Sequence, residues 1–259
     1  NHGTINNADW VTGKDGTALD FKATGSVSVP PAAISTINKQ ITIAFWQFGN
    51  PSQPQMHATS FSYGGSNATA IQTSLSWDTL GVMWVATTGL TDQISKVAEN
   101  PEDYKGQWNH WAFTKNSDTG SMNIYLNGAL WPSGSGKTIP INASAANYMF
   151  IGSYANDFHY DGVLDDFRIY NRQLNSSQID TICNPPVITT KAQSPNPSSG
   201  QSGVALLKIL SWTPATCAVS HIVYFGTDYN DVNDAYPIEL TGEFSGDSIV
   251  DLLDLRIFA

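Results

Sequence analysis

The chain has 259 residues, a net charge of −10 and only 13% charged residues, whereas 41% of its residues are hydrophobic. The negative charge disfavours nucleic acid and anionic membranes as partners, because both are polyanions that repel an acidic protein. Eight Trp and ten Tyr among many Ser, Thr, Asn and Gly are typical of secreted all-β proteins. No apolar run reaches the roughly 18 residues of a membrane span, so membrane insertion is not expected.

The first part of the chain predicts a succession of strands, because hydrophobic and polar residues alternate there. In chain order these segments are 18–30, 40–50, 69–77, 80–89, 106–116, 121–130, 147–155 and 162–171. The turn sequence SDTG at 117–120 and the pair Asp78–Thr79 predict hairpins. The clearest helix signal covers 175–182, with Asn175 or Ser176 as its cap. Many short strands joined by turns predict a β-sandwich or jelly roll.

Composition divides the chain into three segments, 1–182, 183–240 and 241–259. The second begins with a linker rich in Pro and Ser and then predicts two strands separated by a turn. The third has acidic residues before a hydrophobic pattern with helical spacing. Cys183 and Cys217 form either one disulfide or two free thiols.

Five segments resemble, in matching order, the laminin-G-like, concanavalin-A-like jelly-roll domains of bacterial extracellular proteins. They are DGTALDFKATGSVSVP, ITIAFWQFG, QWNHWAFTKNSDTGSMNIYLNGAL, NYMFIGS and DGVLDDFRIYNRQLNSSQI. The resemblance implies two stacked antiparallel sheets over residues 1–182, commonly a structural calcium ion, and often glycan binding. It also implies an accessory module of a larger secreted protein.

The rest of the chain resembles two further modules. Residues 183–240 are similar to part of a fibronectin-III-like module. Residues 241–259 resemble half of a dockerin, whose calcium-ligand positions are occupied here by Glu243, Asp247, Asp251 and Asp254. An amphipathic acidic tail is the alternative for this last segment.

A missing first strand would leave an open sheet edge. Members of the jelly-roll family usually have a strand before the segment that starts here at Asn1, so the resemblance implies an open edge near the final strand. Open edges invite pairing with another chain. This edge and the C-terminal motif are therefore candidate contacts for a protein partner.

Carboxylates at the start of the last strand are candidate calcium ligands. Asp165 and Asp166 are neighbours on a strand and point to opposite faces, so they cannot flank one glycosidic bond as a catalytic pair must. Together with Asp161 they could instead supply the oxygen ligands that Ca²⁺ prefers. Hydrogen bonds to nearby turns are the alternative.

Signals for catalysis are weak. Glu99, Glu102 and Asp103 lie close together, but Pro101 interrupts the segment and the spacing does not place the acids on one strand face. His110 lies in a predicted strand, where a core position is the more common role. We find no nucleophile elbow, HExxH motif or phosphate-binding loop. The sequence therefore favours a non-catalytic module over a polysaccharide-active enzyme.

An aromatic and polar loop is the best candidate for contact with a glycan. Sugars stack their C–H faces on aromatic rings, while amides and acids bind their hydroxyls. The candidate residues are Tyr154, Asn156, Asp157, Phe158, His159 and Tyr160 in this loop, with Tyr63, Asn67, Trp77 and Trp131 elsewhere. Structural packing is the alternative for each. The sequence thus predicts a secreted carbohydrate-binding module that is stabilised by calcium, with a protein-binding adhesive module as the alternative.

Overall fold

The computed structural model describes residues 3–64, 68–88, 91–155, 157–185, 193–196, 198, 210–213 and 249–250. The chain divides into two compact units, Asn1–Pro185 and Pro186–Ala259. Among the described residues, no helix has the length and apolar character needed to cross a membrane.

The described residues are mostly β-strands. In chain order the strands are β1 (Thr4–Asn6), β2 (Asp9–Thr12), β3 (Thr17–Asp20), β4 (Ser26–Val29), β5 (Gln40–Gly49), β6 (Met56–His57), β7 (Ser60–Gly64), β8 (Ala68–Ser74), β9 (Ser76–Trp77), β10 (Val82–Ala86), β11 (Gln93–Lys96), β12 (Trp108–Asn116), β13 (Ser121–Leu126), β14 (Ala129–Gly134), β15 (Ala146–Ile151), β16 (Gly162–Tyr170), β17 (Gln193–Asn196), β18 (Leu210–Thr213) and β19 (Ile249–Val250). Short 3-10 helices occupy Pro31–Ala33, Asp78–Leu80, Pro101–Asp103 and Ala143–Ala145.

Two antiparallel sheets build the first unit. The first sheet has the strand order β1-β4-β15-β7-β8-β10-β11, and the second has the order β14-β13-β12-β5-β16-β3-β2. β6 and β9 form a separate two-stranded ribbon. Both predicted hairpins are present, because β8 pairs with β10 and β12 pairs with β13. This arrangement confirms the predicted all-β jelly-roll sandwich.

The core lies between the two sheets, and the alternation along each strand selects its residues. In β5, Ile41, Ile43 and Phe45 point into the core cluster, while the intervening Ala44 packs on the opposite face. Trp84 from the first sheet enters the same core cluster. Because successive side chains of a strand alternate between faces, each strand can contribute to the core with every second residue.

One α-helix, α1 (Ser176–Cys183), covers part of the outer face of the second sheet. Asn175 caps it: the Asn175 side chain accepts a hydrogen bond of 2.9 Å from the Gln178 N–H, and the Gln178 side chain accepts one of 3.1 Å from the Asn175 N–H. This reciprocal capping box satisfies backbone donors at the start of the helix. The predicted helix and its cap are thus confirmed. Cys183 is buried at the end of this helix, whereas Cys217 lies outside the described residues.

In the second unit, the described strands are β17, β18 and β19, which form one antiparallel sheet. Ile249 and Val250 pair as a strand with Ser211 and Leu210. β-branched side chains such as these favour extended backbone. The residues whose spacing predicts a helix, Leu252, Leu253, Leu255 and Ile257, lie outside the described residues.

Candidate functional site

Seven aromatic rings form one continuous cluster outside the sandwich core. We call this cluster the aromatic surface, and its members are Phe61, Tyr63, Trp77, Tyr148, Phe150, Tyr154 and Phe158. They come from the adjacent strands β7 and β15, from the end of β9, and from the loop that precedes β16. The four strand rings meet because they lie on one face of the first sheet, since strand neighbours point to opposite faces.

Strand register places four of these rings side by side. Phe150 pairs with Phe61, and Tyr148 pairs with Tyr63, across β15 and β7. The rings of Tyr63 and Tyr148 stack with 5.6 Å between their centroids, and those of Tyr148 and Phe150 are 5.1 Å apart. Met149, between the two β15 rings, points into the core instead. The alternation of β15 thus separates its core residue from its outward aromatic residues.

A tight loop positions Tyr154 and Phe158. The backbones of Tyr154 and Asp157 exchange two hydrogen bonds of 2.9 Å. Ala155 and Phe158 have positive φ angles of 54° and 48°, which allow the chain to reverse within a few residues. The carbonyl of Phe158 accepts a hydrogen bond of 3.0 Å from the Ala58 N–H. The loop is therefore fastened to the segment that leads into β7.

Trp77 connects this loop to the ribbon of β6 and β9. It pairs with Met56 across the ribbon, and its backbone N–H donates a hydrogen bond of 2.8 Å to the Gly81 carbonyl. Its ring centroid lies 5.6 Å from that of Tyr154 and 5.3 Å from that of Phe158. The backbone contacts therefore hold the indole against both loop rings.

Phe61 is the buried member of the aromatic surface and packs beneath Tyr154. Its side chain is only 1% exposed, and its ring stacks on that of Tyr154 with 3.7 Å between centroids. The other members are accessible: Phe158 is 41% exposed, and Tyr63, Trp77, Tyr148, Phe150 and Tyr154 are half-buried. The aromatic surface thus has a buried ring below and partly exposed rings above.

The phenol group of Tyr148 is a neutral hydrogen-bonding group within this surface. Burial raises the pKa of Tyr148, and the neighbouring Tyr63 and Tyr154 raise it further. The Tyr148 hydroxyl therefore stays protonated at physiological pH and can both donate and accept a hydrogen bond. Half-exposed rings can stack on the C–H face of a sugar, and tyrosine hydroxyls beside them can bind its hydroxyls.

The structure brings together four of the residues that the sequence proposes for ligand contact. Tyr63, Trp77, Tyr154 and Phe158 belong to the aromatic surface, and the exposed Asp157 lies between the two loop rings in sequence. Asn156 and Asn67 lie outside the described residues.

Two other candidates for ligand contact, His159 and Trp131, do not join the aromatic surface. The Nδ1 atom of His159 lies 2.9 Å from the carbonyl oxygen of Gly25, so this ring joins its loop to the start of β4. Trp131 packs edge-on against the core residue Trp111 and lies under the ammonium group of Lys96. Trp131 is therefore not among the rings of the aromatic surface.

Tyr160, the remaining candidate, is a core residue and cannot contact a ligand at the surface. Its side chain is fully buried, and its hydroxyl donates a hydrogen bond of 2.8 Å to Oε1 of Gln47. Burial raises its pKa far above the usual value for a phenol. The sequence assigned Tyr160 to the ligand-binding loop because it directly follows four polar or aromatic loop residues, but the chain turns inward at this point.

Sequence reasoning missed Phe61, Tyr148 and Phe150. A signal exists, because the alternation in β15 separates Tyr148 and Phe150 from the core residue Met149. What the sequence does not reveal is that β15 lies beside β7, which brings these rings to Phe61 and Tyr63.

Each candidate calcium ligand in the first unit is engaged by hydrogen-bond donors of its own. The carboxylate of Asp161 accepts hydrogen bonds of 2.8 Å from the side chains of Asn50 and Ser52. Asp165 accepts one of 3.1 Å from the backbone N–H of Asp15 and one of 2.7 Å from that of Asp166. Through these hydrogen bonds, the two buried carboxylates hold neighbouring turns of the chain in place.

Asp166 occupies a bulge between β16 and β5, with a φ of 48°, and its carboxylate pairs with Arg168 at 2.6 Å. Within the described residues, no three His, Cys, Asp or Glu side chains lie close enough together to hold a metal ion. The carboxylates of the first unit therefore do not fit a calcium site built from several acidic ligands. The dockerin-like positions Glu243, Asp247, Asp251 and Asp254 lie outside the described residues.

The residues considered for catalysis have structural contacts. Glu99 forms an ion pair of 3.1 Å with Lys96, and the carboxylate of Asp103 accepts a hydrogen bond from the backbone N–H of Asn100. His110 is buried in β12, where burial and then the charge of Arg168 lower its pKa to about 4. His110 is therefore neutral at physiological pH, as expected of a core histidine.

Solved structures similar to this one include carbohydrate-associated domains. Domain 4 of AbnA, an extracellular arabinanase of Geobacillus stearothermophilus, was solved in complex with arabinotriose. It matches with a TM-score of 0.57 and 22% identity, covering 70% of this chain and 87% of that chain. The ligand-binding domain of botulinum neurotoxin serotype D, crystallised with N-acetylneuraminic acid, matches with a TM-score of 0.51 and 14% identity, covering 70% of this chain and 46% of that chain. At these identities the likeness shows the fold alone. No curated protein matches the chain.

The sequence profile of one family covers most of the sandwich. It matches residues 21–180, so the fibronectin-III-like and dockerin-like resemblances of residues 183–240 and 241–259 remain predictions. With this match and two stacked antiparallel sheets, the chain belongs to the laminin-G-like family of the concanavalin A-like lectin/glucanase superfamily.

Proposed function

We propose that this chain is a non-catalytic, extracellular carbohydrate-binding module, and that the aromatic surface is its binding site. The observation that carries the proposal is the continuous set of partly exposed rings, from Tyr63 and Tyr148 on the strands to Trp77 and Phe158 beside them. Rings that only stabilised the fold would be expected inside the sandwich. Sugar-binding sites combine such rings with a few polar groups that orient the ligand.

The comparisons add support of a general kind. A domain of an arabinanase was crystallised with arabinotriose, and a neurotoxin domain of the same fold was crystallised with N-acetylneuraminic acid. Neither shares enough sequence with this chain to transfer a ligand. They do make a glycan a reasonable class of ligand for this fold.

The proposal is tested by removing single rings. The wild-type protein is first screened on a broad glycan array, with and without Ca²⁺, and the affinity for the best soluble glycan is then measured by calorimetry. Trp77→Ala and Phe158→Ala should each weaken binding about tenfold or more, because truncating a central aromatic contact costs about 2 kcal/mol.

Trp10→Ala is the matched control for these variants. Trp10 is 64% exposed and lies on β2, an edge strand of the second sheet. Its removal should leave binding unchanged. Failure to bind any glycan, or equal affinity for wild type and both surface variants, would rule out the proposed site. Release of new reducing ends from a bound polysaccharide would instead indicate an enzyme.

A second candidate function, protein binding through a sheet edge, is favoured by one observation. Within the described residues, the pairing of β16 with β3 comprises only Val163 and Leu164, whereas its pairing with β5 continues to Tyr170. An extended segment of another chain could add to such an edge. Light scattering that shows only monomer at all concentrations, together with no partner in pull-down experiments, would count against this function.

A further inference from the structure

We infer that the aromatic surface selects neutral glycans and rejects glycans that carry carboxylate, sulfate or phosphate groups. This inference rests on the proposed function and concerns the chemical class of the ligand. It follows from the charges around the surface, because its rings alone could stack on neutral and acidic sugars alike.

The segments that build the surface carry no side chain able to pair with an anion through a permanent positive charge. Residues 55–78 and 146–160 contain all seven rings, and neither segment includes a Lys or Arg. This holds for every residue of both segments, since it is a property of the sequence. Recognition of acidic groups in proteins depends mainly on Arg and Lys, which supply charged hydrogen-bond donors.

Lysine side chains do lie over aromatic rings elsewhere in the described part of the chain. Lys14 lies 4.9 Å from the ring centroid of Trp46, Lys96 lies 4.9 Å from that of Trp131, and Lys105 lies 5.2 Å from that of Tyr104. None of these three rings belongs to the aromatic surface. The lysine contacts therefore lie at other rings than those proposed to bind sugar.

Two exposed carboxylates directly adjoin rings of the surface in the chain. Asp78 directly follows Trp77, is exposed, and accepts a hydrogen bond of 3.2 Å from the Gln55 side chain. Asp157 directly precedes Phe158 and is also exposed. Each carboxylate repels an anion brought against the neighbouring ring, and each can accept hydrogen bonds from the hydroxyls of a neutral sugar.

The charge of the whole chain acts in the same direction at longer range. A net charge of −10 lowers the local concentration of polyanions near the protein, an effect that salt screens. Neutral polysaccharides are not affected by it. Local and long-range electrostatics thus both favour an uncharged ligand.

The test compares matched pairs of glycans that share one backbone and differ in an acidic group, such as a polygalacturonate and its methyl ester, or a neutral oligosaccharide and its sulfated form. Affinities are measured at about 50 mM and about 500 mM NaCl. We expect the neutral member to bind about tenfold or more tightly than the acidic one at low salt. The difference should shrink at high salt, while the affinity for the neutral member stays constant.

Charge reversal identifies the residues responsible. Asp78→Lys and Asp157→Lys should each raise the affinity for the acidic member relative to the neutral one. Asp118→Lys is the matched control, because Asp118 is an exposed carboxylate in the turn between β12 and β13. This control should leave the ratio of the two affinities unchanged.

The outcomes separate this inference from the proposed function. Equal or tighter binding of the acidic member, weakened by salt and by the ring variants, would overturn the inference and leave carbohydrate binding intact. An unchanged affinity ratio in both Asp→Lys surface variants would also overturn it. Absence of binding to every glycan would overturn the proposed function itself.

Discussion

Two clusters of aromatic rings in this protein have similar ring contacts but different positions in the fold. In the core, Phe113 lies 5.9 Å from Phe45, 5.8 Å from Trp84 and 6.2 Å from Trp111, and all four side chains are fully buried. In the aromatic surface, ring centroids such as those of Trp77 and Phe158 are just as close, at 5.3 Å, yet both rings reach solvent. Contact between rings therefore does not distinguish a structural role from a binding role.

The difference lies in what each cluster contributes to folding. The core rings join the two sheets, and the indole N–H of Trp84 in the first sheet donates a hydrogen bond of 3.0 Å to the Thr114 carbonyl in the second. The rings of the aromatic surface contact one another and lie outside this core. Removing a core ring should mainly lower stability, whereas removing a surface ring should mainly lower binding.

The largest expected effect tests this comparison directly. Phe113→Ala deletes a ring that contacts three other core rings, so we expect it to lower the free energy of unfolding by about 4 kcal/mol. Phe158→Ala deletes the same group from a residue that is 41% exposed, and we expect a loss below about 1 kcal/mol. Urea denaturation of both variants measures the two losses. Similar losses would contradict the division into a structural and a binding cluster.

A slightly smaller effect is expected at a buried ion pair beside the core rings. The ammonium group of Lys115 in the second sheet is fully buried and bonds to the carboxylate of Asp92 at 2.8 Å and to the carbonyls of Ala86 and Ile139. Burial lowers the pKa of Lys115, while Asp92 opposes this shift. Asp92→Asn leaves the buried charge without its counter-ion and should cost about 3 kcal/mol.

Two comparisons sharpen this prediction. Asp118→Asn removes the partner of the exposed Lys39 and should cost below about 1 kcal/mol. The double variant Lys115→Met/Asp92→Asn should be more stable than Asp92→Asn alone, because no unpaired charge remains buried. If the double variant is the less stable of the two, uncompensated charge is not the cause of the loss.

Acid should destabilise the protein through a buried histidine in the ribbon of β6 and β9. His57 is fully buried and packs 5.3 Å from the ring of Tyr160, and burial lowers its pKa to about 4 from 6.5. The unfolded chain therefore binds a proton that the folded chain rejects, and stability falls as the pH drops from about 6.5 to about 4. The loss from this group between pH 7 and pH 5 should be about 2 kcal/mol.

The variant His57→Gln isolates this contribution. It should be less sensitive to acid over this pH range, although His110, whose pKa is lowered to about 4 mainly by burial, still contributes. Urea denaturation at pH 7 and pH 5 measures the difference. Equal acid sensitivity of wild type and variant would contradict a neutral, buried His57.

Local sequence signals predict most of the sandwich but only part of the site. The alternation of Ile41, Ile43 and Phe45 identifies β5, and Asn175 with Gln178 identifies the start of α1. These signals involve residues a few positions apart. The aromatic surface instead depends on the pairing of Tyr63 with Tyr148, which are distant in sequence. This pairing depends on the order of strands in the sheet, which a local sequence pattern does not predict.

The carboxylates illustrate the same limit. The sequence places Asp165 and Asp166 on opposite faces of a regular strand, whereas the structure has a bulge at this position. One of the two donors to Asp165 is the N–H of Asp15, which lies 150 positions earlier in the chain. A partner at that separation becomes visible only once β2, β3 and β16 have assembled.

The smallest expected effect concerns this carboxylate and the calcium predicted from the sequence. Asp165→Asn retains one acceptor oxygen and replaces the other with an NH2 group, so one of the two backbone N–H donors loses its acceptor, and we expect a loss of about 1 kcal/mol. If hydrogen bonding is the role of Asp165, the loss should be the same in excess Ca²⁺ and in EDTA, and Asp118→Asn should show no Ca²⁺ dependence either. An ion bound at about 100 times its dissociation constant would add roughly 2.7 kcal/mol, which a thermal melt resolves. A rise in wild-type stability with Ca²⁺ that Asp165→Asn abolishes would therefore support the calcium site and contradict the purely turn-fastening role.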